Sequence, residues 1–184
     1  MEAIYEDEML PPTTEELLGE NLDWLSCEEK TFELRGLKIN SFKYISKIVG
    51  ATRHPIFAVH GGPGFTHSYI KPLFLLCSSG YPVIFYDQAG CGKSTFIENP
   101  AIEAPWLLTI SYYLEELNSL ISLYAAEKYY LYGSSWGKFI FKKVIYIFTH
   151  NLIFLSRHYS SSRICDKTTY WFVRNYTRFP FMRS

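Results

Sequence analysis

Three short apolar runs, each stopped by a cluster of small or polar residues, constrain the fold of this chain most. Pro55-Ile56-Phe57-Ala58-Val59-His60 ends at Gly61-Gly62-Pro63-Gly64. Pro82-Val83-Ile84-Phe85-Tyr86 ends at Asp87-Gln88-Ala89-Gly90, and Tyr129-Tyr130-Leu131-Tyr132 runs into Gly133-Ser134-Ser135-Trp136-Gly137. Runs this short, apolar at consecutive positions and bounded by breakers, suit strands buried on both faces. A helix is expected near His67–Ser79, and another from Trp106 to Tyr124, where Leu107, Ile110, Leu114, Leu117, Leu120 and Ile121 fall at helical spacing. Strands alternating with helices predict a parallel sheet with helices on both faces. Ligands of such sheets bind beyond the carboxyl ends of the strands, so all three breaker clusters should converge on that edge. Upstream, Thr31–Leu34 and Lys38–Val49 are β-like around a turn at Gly36, and Thr14 is placed to cap a short helix.

These clusters contain the residue types that nucleophilic catalysis requires. A nucleophilic serine projects from a sharp strand-to-helix turn, and crowding there demands small residues two before and two after it. Gly133 and Gly137 hold those places around Ser135. The backbone N–H of Trp136, at a helix N-terminus, would then face an oxyanion hole. Alone, the pentapeptide reads first as an ordinary serine-glycine turn; the strand before it supplies half of the context a nucleophile needs. A second oxyanion donor must come from the loop after an earlier strand. His60-Gly61-Gly62-Pro63-Gly64 is such a loop, and its glycines let backbone approach a substrate carbonyl closely; a tight surface turn is the competing reading. His60 precedes the serine on an early strand, so it is expected to hydrogen-bond within the loop rather than act as a base.

Gly92-Lys93-Ser94 has the ending of a phosphate-binding loop, but the full pattern requires glycine where this chain has Asp87. The alternative is a glycine-rich turn in which Asp87 braces the loops at the sheet edge.

Taken in order after successive strands, His-Gly-Gly-Pro-Gly, Asp-Gln-x-Gly-x-Gly-x-Ser and Gly-x-Ser-Trp-Gly resemble the proline iminopeptidase family of the α/β-hydrolases, over roughly residues 30–137. The resemblance implies a truncated α/β-hydrolase fold: the first strands of a mostly parallel sheet through the nucleophile elbow, without a cap domain. It also implies a serine hydrolase that releases an N-terminal residue, often proline, from short peptides or amino-acid amides. By position, Ser135 would be the nucleophile, and the N–H groups of Gly62 and Trp136 would form the oxyanion hole. His60, Gly61, Gly64, Asp87 and Gln88 would shape the loops. No cofactor or metal is expected, and the expected partner is a small peptide or amide.

A serine hydrolase of this fold also needs an acid and then a histidine after the serine. Beyond Ser135 the chain holds one acid, Asp166, preceded by both remaining histidines, His150 and His158. The expectation is incomplete machinery without measurable turnover, the alternative being a non-catalytic fragment or binding module. The charge changes at the same place. Through Gly137 there are 9 Lys+Arg against 17 Asp+Glu, and from Lys138 onward 9 against 1. This divides the chain into an acidic segment 1–28, a hydrolase half-domain 29–137 and a basic tail 138–184. The tail is rich in residues with AT-rich codons, and a Gly137-Lys138 junction encoded GGT-AAG contains a splice-donor consensus. Translated intron is the hypothesis, refuted by a continuous cDNA encoding Lys138 to Ser184.

The tail's charges are scattered among aromatics rather than clustered, so no nucleic-acid partner is expected. Phe139 to Leu155 contains Lys142, Lys143, His150 and Asn151 and falls short of the ~20 apolar residues of a spanning helix. The acidic N-terminus does not read as a secretory signal. Cys27, Cys77, Cys91 and Cys165 are too widely spaced for a zinc or redox motif, which points to free thiols in a reducing, cytoplasmic setting.

Overall fold

The computed structural model describes residues 22–62 and 64–140 in full, and residues 153–155 and 172–175 as backbone strands. β1 (Leu25–Leu34) and β2 (Leu37–Ser46) pair antiparallel, with Leu34 opposite Leu37. Both turn residues, Arg35 and Gly36, have positive φ (50° and 79°), as a two-residue hairpin loop matching the strand twist requires. β1 starts at Leu25, so the segment expected as an acidic lead-in supplies the beginning of this strand.

The apolar runs form β3 (Ile56–Val59), β4 (Val83–Asp87) and β5 (Tyr129–Gly133). β3 pairs in parallel with both β4 and β5. β2 joins β4 antiparallel. Beyond β5 the backbones of β7 (Phe172–Asn175) and β6 (Ile153–Leu155) continue antiparallel, giving the order β1-β2-β4-β3-β5-β7-β6. The parallel part is thus the centre, where the sequence places it, and antiparallel strands flank it on both sides.

Every residue of β3 and β4 is buried, because helical segments cover both faces and successive side chains alternate between them. Phe57, Val59, Ile84, Tyr86 and Leu131 pack with Tyr112, Leu117, Leu120 and Ile121 of the helix Ile110–Leu123. Ile56, Ala58, Val83, Phe85 and Tyr132 pack with Ile70, Phe74 and Cys77 of the 3-10 helix His67–Ser79. Pro72 lies inside that 3-10 helix and Gly80 ends it at φ 81°. The helix expected from Trp106 is interrupted: Pro105–Leu108 is a separate 3-10 turn, and Thr109 is extended (φ −110°, ψ 142°). The Thr109 side chain accepts the Tyr112 N–H, an N-cap that starts a new helix. Among the described residues no helix is long and apolar enough to cross a membrane.

Candidate active site

Parallel pairing of β4, β3 and β5 brings their carboxyl ends, and so the three loops, to one edge. The chain leaves β3 toward β4 on one side and returns to β5 on the other. The β3 and β5 loops therefore flank a topological switch point, where open α/β sheets bind ligands.

Ser135 occupies the turn between β5 and the helix that follows it. Its φ is +48°, and it is exposed although Ser134 and Gly137 on either side are buried. Left-handed backbone is costly for a residue with a Cβ, and such strain persists only where the surroundings impose it. Here they do. The Ser134 N–H donates to the Val59 carbonyl at 3.1 Å, tying the turn to β3. The N–H groups of Gly137 and Lys138 donate to the carbonyls of Ser134 (2.8 Å) and Ser135 (3.0 Å), which starts the helix at once. A Cβ on Gly133 would stand 2.7 Å from the Gly137 oxygen. One on Gly137 would overlap the Val59 carbonyl oxygen. Both glycines are therefore needed for the closeness of helix and sheet. The helix continues to residue 140, where Ile140 is fully buried in the core. The Trp136 N–H, the first of the helix, has no backbone acceptor among the described residues, and neither has that of Gly62. The Gly62 loop lies against the elbow: a Cβ on Gly61 would be 2.9 Å from the Ser135 Cβ. Gly62 (φ 138°) and Gly64 (φ 102°) take backbone conformations that side chains disfavour.

His60 is fully buried and both its ring nitrogens are engaged. Nε2 accepts the Gln88 N–H at 3.0 Å, so the proton sits on Nδ1, 2.6 Å from the Gly61 carbonyl oxygen. The Gln88 amide in turn donates to the His60 carbonyl at 3.0 Å. Burial lowers the His60 pKa, opposed by the Gly61 carbonyl and the Asp87 charge, so the ring stays neutral and ties the β3 loop to the β4 loop.

Asp87 ties the β4 loop on its other side. Oδ1 accepts from the His67 N–H (3.1 Å) and Nδ1 (2.8 Å), and Oδ2 accepts the Lys93 N–H at 3.1 Å. Burial alone would raise its pKa, but these hydrogen bonds and the His67 charge outweigh it and hold the carboxyl below its ordinary value. A Cβ on Gly92 would overlap this carboxylate. No phosphate-loop geometry is needed to account for Gly92-Lys93-Ser94: the Ser94 hydroxyl donates to the Asp87 carbonyl at 2.6 Å.

Two participants escaped the sequence reading. The sequence places His67 only at the start of a helix. Glu116, fully buried on the helix Ile110–Leu123, accepts the Ala89 N–H at 3.0 Å. Burial raises its pKa to about 8, offset in part by that N–H and by the Tyr112 hydroxyl. A signal for Glu116 was available: it lies between Tyr113 and Leu120 on the apolar stripe of its helix. The Tyr86 hydroxyl is buried without a hydrogen-bond partner among the described residues.

The arrangement offers an exposed serine at a strained turn and, in the elbow and the loop packed against it, two N–H groups without a backbone acceptor among the described residues, but no described histidine is placed to take the serine proton. His54 lies at the opposite edge, beside Pro55 and Pro82. His60 is committed at both nitrogens. His67 is held by Asp87 and stacks on Phe42 of β2 at 4.3 Å, away from β5. His150, His158 and Asp166 lie outside the described residues, as does Cys165. Cys27, Cys77 and Cys91 are free thiols. Among the described residues no group of three or more His, Cys, Asp or Glu side chains is placed to hold a metal.

Comparison with known proteins agrees with this geometry. Residues 54–140 match the alpha/beta hydrolase fold family, a match that runs past Gly137 into the buried turn at Ile140. The chain is 38% identical over 104 residues to a proline iminopeptidase of Clostridioides difficile, covering 55% of this chain and 34% of that protein. It is 37% identical over 100 residues to one of Saccharolobus solfataricus, covering 54% and 30%. The crystal structure of a proline iminopeptidase from Mycobacterium smegmatis superposes with a TM-score of 0.57 at 26% identity, covering 64% of this chain and 38% of that one. The chain thus spans about a third of the length of these relatives. Residues 54–140 carry the α/β-hydrolase fold, and over about half its length the chain resembles the proline iminopeptidase family.

Proposed function

We propose that this edge is the nucleophile and oxyanion half of a serine peptidase or amidase that releases an N-terminal residue, proline foremost, from small peptides or amino-acid amides. The observation that carries the reading is the strained, exposed Ser135, wedged between Gly133 and Gly137 and against Gly61. Strain of this kind lifts a serine oxygen clear of the backbone for attack. The N–H groups of Gly62 and Trp136 would stabilise the oxyanion that attack creates. The substrate class comes from the relatives, each named a proline iminopeptidase. No cofactor or metal enters the reaction, and we place the protein in the cytoplasm.

The described histidines are engaged or lie elsewhere, so the serine proton has no acceptor among the described residues, and we propose that attack depends on hydroxide. The full chain should therefore release no 4-nitroaniline from L-prolyl-4-nitroanilide at neutral pH beyond a Ser135→Ala control. An activated fluorophosphonate should still modify Ser135 selectively, about tenfold faster per pH unit as hydroxide rises. Modification that reaches a plateau near neutral pH would show a working base and overturn the half-site reading. Absence of selective modification would remove Ser135 as nucleophile. The engaged histidines equally favour a second reading, a binding module on the same fold. It predicts that prolinamide binds at this edge while Ser135 stays inert to the fluorophosphonate at every pH.

A further inference from the structure

We propose that Tyr69 is a third oxyanion donor, its phenolic O–H directed at the oxygen that gains charge when Ser135 attacks; the inference rests on Ser135 being the nucleophile. The Tyr69 hydroxyl accepts the Gly61 N–H at 2.5 Å. A phenol has one proton to give and can accept at the same time. With the N–H bond occupying a lone pair, that proton has no acceptor among the described residues. The incoming N–H also polarises the phenol and strengthens it as a donor.

Position supports the same assignment. A Cβ built on Gly61 would lie 2.8 Å from the Tyr69 hydroxyl oxygen and 2.9 Å from the Ser135 Cβ. The hydroxyl and the nucleophile's own carbon therefore flank one point of the β3 loop. Tyr69 is 48% exposed and Ser135 is exposed as well, so a ligand at the sheet edge meets both. The ring is steadied by Phe65, edge-on at 6.2 Å between centroids with the planes at 68°. It is carried on the 3-10 helix that follows the loop. Glycine at 61 acquires a specific reason: any side chain there would fill the gap between donor and nucleophile.

The test is the rate at which a fluorophosphonate modifies Ser135 in the full chain, followed by intact mass, in wild type and Tyr69→Phe. The same pair is measured with the thiophosphonate analogue, whose sulfur accepts hydrogen bonds poorly. Tyr69→Phe should slow the oxygen probe roughly a hundred- to thousandfold, the range for loss of an oxyanion donor, and should shrink the oxygen-to-sulfur rate ratio. 3-Fluorotyrosine at position 69, a more acidic donor of nearly the same shape, should raise that ratio when measured at a pH where its phenol stays protonated. Equal slowing of both probes would mean that Tyr69 only supports the loop, and would overturn the proposal. Unchanged rates would overturn it too, while leaving Ser135 as nucleophile. An unmodified Ser135 in wild type would remove the nucleophile reading and Tyr69 with it.

Discussion

Replacing Ser135 by glycine and by alanine separates the strain at the elbow from the chemistry of the hydroxyl, because both variants lack the oxygen. At φ +48°, a residue with a Cβ is disfavoured by roughly 1–2 kcal/mol. Glycine escapes this but costs roughly 0.5–1 kcal/mol relative to alanine in unfolded-chain entropy. The balance makes Ser135→Gly more stable than Ser135→Ala by roughly 0.5–1 kcal/mol, the reverse of the order at an ordinary helical or strand position. Ser135 is exposed, so loss of side-chain packing contributes little to either variant. Urea unfolding followed by tryptophan fluorescence reads the difference as a midpoint shift of a few tenths molar, given m-values of about 1–3 kcal/mol/M. In a thermal melt it is about 2 °C for a chain of this size. Equal midpoints, or a more stable alanine variant, would refute the strained turn.

Gly137→Ala should destabilise by about 2 kcal/mol or more despite alanine's better helix propensity, since its Cβ meets the carbonyl of β3 rather than a movable side chain; urea midpoints give the value. His60→Ala should cost about 3 kcal/mol, combining a cavity with an unpaired Gln88 N–H, and hydrogen exchange at the Gln88 amide should accelerate in step. Glu116 ionises near 4.5 when unfolded and near 8 when folded. Between these values the folded state holds a proton the unfolded state has lost, so stability falls as pH rises, by at most ~1.4 kcal/mol per unit. Glu116→Gln removes this dependence. The variant should exceed wild type in stability at about pH 8 and lose that advantage toward about pH 5, as a series of urea midpoints across the range would show.

The central strands were legible because burial on both faces leaves a mark in the chain itself, an unbroken apolar run ended by breakers. β3 and β4 are buried at every residue, as their sequences require. The glycines around Ser135 were legible because crowding admits few alternatives. Thr109 lies within a continuous helical pattern in the sequence, and its capping role depends on Pro105–Leu108 forming a separate turn. Pairings between loops carried no local signal. The expectation that Asp87 braces the loops at the sheet edge names no partner, and His67 lies 20 positions earlier in the chain. Glu116 reaches Ala89 across 27 positions. Tyr69 reads as one aromatic among many until the 3-10 helix folds it onto Gly61. Such contacts depend on how strands are ordered in space, which hydrophobic periodicity does not encode.

Site mapping of a fluorophosphonate adduct on the full chain, in wild type and Ser135→Ala, tests the assignment of Ser135 most directly. A nucleophile at the elbow predicts one adduct, on Ser135, absent from the alanine variant and formed faster as hydroxide rises. Adducts distributed over several serines and tyrosines, or an adduct that persists in Ser135→Ala, would contradict it.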